Sequence, residues 1–147
     1  MLELLLACAV LIGMAGAVFL QGNTVMRQYY KQQVRLSAQL LAADLRALQQ
    51  RALYKGSNAM RKLQPLSTDN SVYTLVDGMN VVAAIAFSDF GCGEVYLQRS
   101  INSVSFGTLG APNANGEYVL RHRRLEKFSC RVALQPVTGR VLVYEGE

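Results

Sequence analysis

Hydrophobic residues dominate the start of the chain, and a helical stripe follows them. From Leu4 to Met26 the only ionisable side chain is the thiol of Cys8. At about 1.5 Å per helical residue, this run crosses a hydrocarbon core roughly 30 Å thick. The helical pattern continues past Gln21, and the basic segment that opens a secretory signal peptide is absent from the sequence. We therefore predict a retained transmembrane helix over residues 1–26, with a cleaved signal peptide as the alternative.

The residues that follow predict that the same helix continues beyond the membrane. Its apolar stripe, at steps of three and four, consists of Tyr30, Val34, Leu41, Leu45, Leu48 and Ala52, with Ser37 filling the gap. Polar residues occupy the opposite face, and no proline interrupts Met1 through Gln64. Lys55 and Gly56 supply a favourable positive charge and a left-handed cap at the end. We predict an amphipathic half over residues 27–56, within one helix on the order of 80 Å long.

After the helix the hydrophobic period changes from 3.6 to 2, which predicts strands. The polar segment from Ser57 to Asn70 is predicted to be a connecting loop. Strands are predicted at Val72–Val76, Val81–Phe87, Glu94–Gln98, Ile101–Phe106, Glu117–Arg123, Phe128–Gln135 and Arg140–Tyr144. Asp77-Gly78 would join the first two strands in a tight turn. Residues 57–147 should form a β-rich head, in an α+β protein whose long helix packs on a small antiparallel sheet.

Charge and cysteine content add two open questions. The net charge of +5 and the pI near 9.3 permit an anionic partner without requiring one. Because Cys8 lies in the apolar run, Cys92 and Cys130 are the pair available to the head. A disulfide between them would suit an oxidising compartment, and two buried free thiols are the alternative.

No enzyme chemistry is predicted, and neither a cofactor nor a metal is expected. His122 is the only histidine in the sequence, so one chain cannot assemble a zinc triad or a histidine-based acid–base pair. We expect His122 on a solvated strand. The Gly91-Cys92-Gly93 segment has no second cysteine nearby for metal or redox chemistry, and is predicted to be a turn.

One cluster of basic residues is a candidate partner surface. It consists of Arg121, Arg123, Arg124, Lys127 and Arg131, with Arg140 on the adjacent predicted strand. Alternation along a strand would put Arg121 and Arg123 on one face, where they could contact phosphates without base specificity. The alternative, which we favour, is a solvated edge or one paired with Glu117 and Glu126.

The opening Leu2-Glu3-Leu4-Leu5-Leu6 resembles the start of prepilin-type signal sequences, in which a glycine precedes Phe-Thr-Leu-Ile-Glu. Leu40 through Ala52 is similar to the second half of the helix in minor pseudopilins of the GspH/FimT type. Val137 through Val143 resembles their closing strand, where a Thr-Gly-Arg-Val turn recurs, and Ala86 through Gly93 lies where they carry a phenylalanine-rich turn. The competence pseudopilin ComGD is a near neighbour. The family's basic leader and processing site are missing from this sequence.

This resemblance implies a pilin fold and a structural role in a type II secretion, type IV pilus-like or competence machine. The implied partners are other pilin or pseudopilin subunits, inner-membrane lipid, the prepilin peptidase and the assembly platform. It also implies a single-pass inner-membrane protein with its head outside the cytoplasm. The positive charges that follow the apolar run would by themselves favour the opposite orientation.

The resemblance gives specific roles to Glu3 and to the pair Gly139-Arg140. Glu3 matches the pilin glutamate that pairs with the N-terminal amine of a neighbouring subunit, whereas by itself it would be an interfacial glutamate facing water. Some FimT-like minor pilins bind DNA through a closing Gly-Arg-x-Arg element. Gly139 and Arg140 match this element, but Leu142 stands where the second arginine is expected. A DNA receptor for natural transformation is therefore the alternative function.

Overall fold

The computed structural model describes the backbone of residues 2–55 and 61–146, and the side chains of residues 22–55 and 61–146 apart from Glu126. A single helix, α1 (Leu2–Lys55), opens the chain. At about 1.5 Å per residue it is roughly 80 Å long. The prediction of one long N-terminal helix is confirmed, and the helix passes the predicted boundary at residues 26 and 27 without a break.

Two antiparallel sheets follow the helix, so the α+β prediction is confirmed. Their strands are β1 (Arg61–Pro65), β2 (Val72–Asp77), β3 (Asn80–Ala86), β4 (Val95–Arg99), β5 (Gly116–His122), β6 (Leu125–Leu134) and β7 (Val141–Gly146). The first sheet has the order β1-β2-β3 and the second has the order β4-β5-β6-β7. A short 3-10 helix, Phe87–Phe90, lies between β3 and β4. Consecutive strands pair within each sheet, whereas β3 and β4 lie in different sheets, in contrast to the single sheet that was expected.

The predicted transmembrane segment lies mostly outside the described side chains. The side chains of residues 1–21, which include Glu3 and Cys8, are outside the described residues. Within residues 22–55 and 61–146, no helix is both long and apolar enough to span a membrane.

The apolar stripe of α1 forms one wall of the core. The buried residues of this stripe are Val34, Ser37, Ala38, Leu41, Ala42, Leu45, Leu48 and Ala52. They pack mainly on the second sheet, through β5, β6 and β7. Tyr118 and Leu120 of β5 and Val132 of β6 alternate inward and are fully buried. The 3.6-residue period of the helix and the two-residue period of the strands therefore meet in one core, as predicted.

Polar contacts fix the helix against β7 and the first sheet. The guanidinium of Arg35 donates two hydrogen bonds of 2.8 Å to the carboxylate of Glu145 in β7. This pairing lowers the pKa of Glu145. On the other side of the helix, the buried Tyr73 of β2 donates a 2.6 Å hydrogen bond to Asp44. Burial, followed by this hydrogen bond, raises the pKa of Tyr73 well above its ordinary value.

The β2–β3 turn differs from the prediction by one residue. Asp77 pairs with Asn80, so the two central residues are Gly78 and Met79. Gly78 has a φ of 64°, and the non-glycine residues described have no positive φ. A positive φ at the first central position alone is the arrangement in which a type II′ turn takes glycine.

Two predicted assignments are wrong, for related reasons. The predicted loop Ser57–Asn70 contains β1, an edge strand of which only Leu63 is buried and which ends at Pro65. Its polar residues hide the strand pattern, and proline is tolerated at such an edge. The predicted strand Ile101–Phe106 makes only isolated bridges, among them one between Val104 and Leu63. Its hydrophobic residues reflect burial of an irregular segment rather than pairing in a sheet.

Candidate anion-binding site

The β5–β6 turn presents the predicted basic cluster. A β-bulge falls between Arg121 and His122, and His122 pairs with Leu125. Arg123 and Arg124 are therefore the two turn residues, and the backbone N–H of Arg123 donates to the carbonyl of Glu94, 3.0 Å away. Arg123 therefore lies one residue past the end of β5, in the turn. With His122 buried between them, Arg121 and Arg123 both line the cleft described next.

A cleft of about 750 Å³ lies between this turn and α1, and we call it the basic cleft. Its described lining residues are Arg27, Lys31, Arg121, Arg123, Arg124, Leu125, Lys127 and Phe128. Six of these side chains are cationic, and none of the described lining residues is a carboxylate. Lys31 lies over the ring of Phe128, with its Nζ 5.1 Å from the ring centroid. The cleft therefore combines a positively charged rim with a small apolar surface.

His122 fixes the turn against the helix. Its Nδ1 accepts a 3.0 Å hydrogen bond from the backbone N–H of Arg124. Its Nε2 then carries the proton and lies 2.9 Å from Oε1 of Gln33. The imidazole also stacks on Tyr30, with ring centroids 4.4 Å apart. Only 2% of His122 is exposed, so the expectation of a solvated histidine is wrong.

Burial favours the neutral form of this histidine. Desolvation lowers the pKa of His122, with Glu94 and Arg124 acting in opposite directions beside it. A neutral imidazole can accept from one side and donate to the other, which is what the two hydrogen bonds require. His122 is thus a positioning residue for the basic turn.

The helix residues of the cleft were missed in the sequence. Arg27 and Lys31 are four residues apart and therefore lie on one face of α1. Tyr30 contributes its hydroxyl, 3.4 Å from Nη1 of Arg124. Gln33 links the histidine to the chain after the 3-10 helix, since its Nε2 donates to the carbonyl of Gly91 at 2.6 Å. The spacing of Arg27 and Lys31 was visible, but nothing in the sequence indicated which strand turn they would face.

Of the two expected carboxylate partners, Glu117 pairs away from the cleft, with its carboxylate 3.4 Å from Arg99. The side chain of Glu126 lies outside the described residues. Glu94 approaches Arg124 at 3.8 Å, a contact between two largely exposed groups. Within the described part of the chain, Nε of Arg121 is buried and has no hydrogen-bond partner.

Arg140 does not join the cluster. Ser129 of β6 pairs with Arg121, whereas Gln135 donates its N–H to the carbonyl of Arg140. Ser129 and Gln135, the partners of Arg121 and Arg140, are six residues apart, or roughly 20 Å along a strand. Arg131 pairs with Val119 and borders a second groove, which Arg121 also lines. The structure therefore brings together Arg121, Arg123, Arg124 and Lys127, and separates Arg140 from them.

Cys92 and Cys130 are both buried and free in the structure. The proposed disulfide is not formed, and the alternative of two buried thiols describes what is observed. Burial raises the pKa of Cys130 to about 11, which makes its thiol a poor nucleophile.

The described residues of the cleft do not form a metal site. Among the residues with described positions, no group of three or more His, Cys, Asp and Glu side chains is arranged to hold a metal ion. Comparison with known proteins adds no assignment, because no protein-family model, no curated protein and no solved structure matches the chain.

Proposed function

We propose that the protein is a minor pilin or pseudopilin, a structural subunit that is held in the membrane by the first half of α1 and assembles through that helix. One observation carries the proposal. Tyr30 is the first described helix residue that packs on the core, and residues 22–29 before it are exposed. The helix extends from there back to Leu2, roughly 40 Å. A helix end of that length, beyond the reach of the head, needs lipid or other helices to cover it.

The sequence of that helix end supports lipid as its first environment. The run Leu4–Met26 is uncharged at neutral pH, and its Gly13 and Gly16 are tolerated in membrane helices, where small residues let neighbouring helices approach. Lipid would hold the unassembled subunit, and sister helices would replace lipid in a filament. The head would then determine which subunits are neighbours. The pilin fold, the family resemblance and the location outside the cytoplasm belong to this proposal.

Glu3 provides the test of assembly. We expect Glu3→Ala to reduce the share of the protein found in sheared filaments, because the variant lacks the acidic group that pairs with a neighbouring subunit. The amount in the membrane and the fold of the head should stay unchanged. Asp89→Ala, which removes an exposed carboxylate from the head, is the matched control. Equal incorporation of Glu3→Ala and wild type would refute the role of Glu3.

A DNA receptor is the second candidate, since the basic cleft gathers four of the predicted cationic residues. Against it, Arg140 of the Gly-Arg-x-Arg resemblance lies far from the cleft, and Leu142 replaces the second arginine. A gel shift of the detergent-solubilised chain with duplex DNA tests this function. Binding through phosphates should weaken steeply as salt is raised. The absence of a shift at low salt would eliminate the DNA receptor.

A further inference from the structure

The basic cleft lies where the predicted membrane span ends. Arg27 is the first residue after Leu4–Met26, and Lys31 is one helical turn further on. Both side chains line the cleft together with the β5–β6 turn. If residues 1–26 are embedded as proposed above, the cleft lies at the level of the lipid headgroups. The inference that follows therefore rests on the proposed function.

Exposed apolar residues lie on the same stretch of helix as Arg27 and Lys31. Val25 is 65% exposed, Met26 is 46% exposed and Tyr29 is 53% exposed. Exposed side chains of this kind suit the boundary between headgroups and acyl chains, where tyrosine is enriched. A fully aqueous surface would gain nothing from them.

The lining of the cleft fits a compact anion with an apolar attachment. Arg121, Arg123 and Lys127 supply charge from the strand side, and Nε of Arg121 lacks a described partner although it is buried. Leu125 and Phe128 are largely buried at the same cleft and supply its apolar surface. An incoming phosphate oxygen could accept hydrogen bonds from the guanidinium of Arg121, which lines the cleft.

We propose that the basic cleft binds the phosphate headgroup of an anionic phospholipid, such as phosphatidylglycerol, at the membrane surface where α1 leaves the bilayer. Lipid is favoured over nucleic acid because the cations converge on a bounded cleft. The neighbouring groove on the outer sheet face includes Glu117 and would interrupt a phosphate backbone that ran along it. The headgroup would tie the β5–β6 turn to the helix and set the orientation of the head on the membrane.

Lipid retention by the full chain tests this proposal. The chain is reconstituted in bilayers of phosphatidylcholine with a minor fraction of phosphatidylglycerol and extracted in mild non-ionic detergent, and the bound lipids are quantified. We compare Arg123→Gln/Lys127→Gln, which removes two cleft cations, with Lys62→Gln/Arg140→Gln, which removes two exposed cations elsewhere. A parallel extraction contains excess inorganic phosphate, and a parallel binding assay uses a DNA oligonucleotide.

We expect wild type and the Lys62/Arg140 variant to retain phosphatidylglycerol in excess of its share in the bilayer. The phosphatidylglycerol enrichment of the cleft variant should be lower by on the order of tenfold, because two cations near the membrane surface are removed. Retention that survives inorganic phosphate supports a lipid site that also uses the acyl chains.

Three outcomes would overturn the lipid site. The first is equal retention by the two variants, and the second is displacement of the lipid by inorganic phosphate alone. The third is DNA binding that depends on the cleft, without lipid preference. A chain that fails to enter bilayers at all overturns the proposed function as well, so the two failures are distinguishable.

Discussion

Gly139 is the position at which a single methyl group should disturb the fold most clearly. It lies in the β6–β7 turn with a φ of 65°, and its N–H donates to the carbonyl of Gln135 at 2.9 Å. A Cβ placed on Gly139 would lie 2.5 Å from Nε2 of Gln49 and still closer to the carbonyl oxygen of Gly110. Contacts under 3.0 Å are essentially never seen for a real Cβ atom. Gly139→Ala must therefore displace the turn, the Gly110 loop or the helix side chain.

The expected loss has two parts. The left-handed backbone costs a non-glycine residue about 1 kcal/mol. Relieving the overlap costs roughly another 1–3 kcal/mol as overpacking. It also strains the hydrogen bonds that Gln49 donates to the carbonyls of Gly110 at 2.9 Å and Thr138 at 3.2 Å. We expect Gly139→Ala to lower the free energy of unfolding by about 3 kcal/mol.

Gly78→Ala is the matched control. Gly78 has a nearly identical φ of 64°, but a Cβ there would meet nothing within 4 Å. Gly78→Ala should therefore lower the free energy of unfolding by the backbone cost alone, about 1 kcal/mol. Thermal unfolding of the full chain in mild detergent, followed by circular dichroism, compares the two. At about 3–5 °C per kcal/mol for a chain of this size, the Gly139 variant should melt roughly 10 °C or more below wild type. Equal losses for both variants would refute the close approach to the helix and the Gly110 loop.

Three further predictions concern the core and the charges. Leu45→Ala should lower the free energy of unfolding by about 2–5 kcal/mol, because Leu45 is fully buried in the helix–sheet core. Denaturant titration measures this, and a loss below about 1 kcal/mol would contradict the packing. Burial lowers the pKa of His122, so below about pH 6.5 the unfolded chain binds a proton more readily than the folded chain does. The free energy of unfolding should therefore fall from pH 7.5 to pH 5.5. His122→Gln should remove that component, and an unchanged pH dependence would contradict it. Arg35 lowers the pKa of Glu145, so the wild-type protein should lose stability as the pH falls below about 4.5. Glu145→Gln should show a smaller loss, and acid titration of both proteins measures the difference.

The helical half of the fold was predictable because its signal is local. The stripe from Val34 to Ala52 repeats at helical spacing, and each of its apolar members is buried where predicted. Strand prediction succeeded where alternation and turn residues agreed, as in β2, β3 and β6. It failed at β1 and at Ile101–Phe106, because burial and strand pairing are different properties that leave similar hydrophobic patterns in short segments.

The candidate site was predictable only in part, because half of it depends on tertiary contact. Arg121, Arg123 and Arg124 are close in sequence and form a visible cluster. Gln33 meets His122 across 89 positions of the chain, and no local pattern encodes that contact. The basic cluster was therefore visible, whereas the cleft and the buried role of the histidine required the packing of α1 on β5 and β6.

Cysteine labelling tests most directly whether α1 anchors a head outside the cytoplasm. Val137 is 84% exposed in the β6–β7 turn, while Cys92 and Cys130 are buried. A membrane-impermeant maleimide is applied to intact spheroplasts that produce Val137→Cys, with wild type as the control, and the membranes are then washed in alkaline carbonate. We predict that Val137→Cys is labelled without lysis and stays in the washed membrane fraction. Labelling only after lysis, or release of the chain by carbonate, would contradict a membrane-anchored pilin-like subunit.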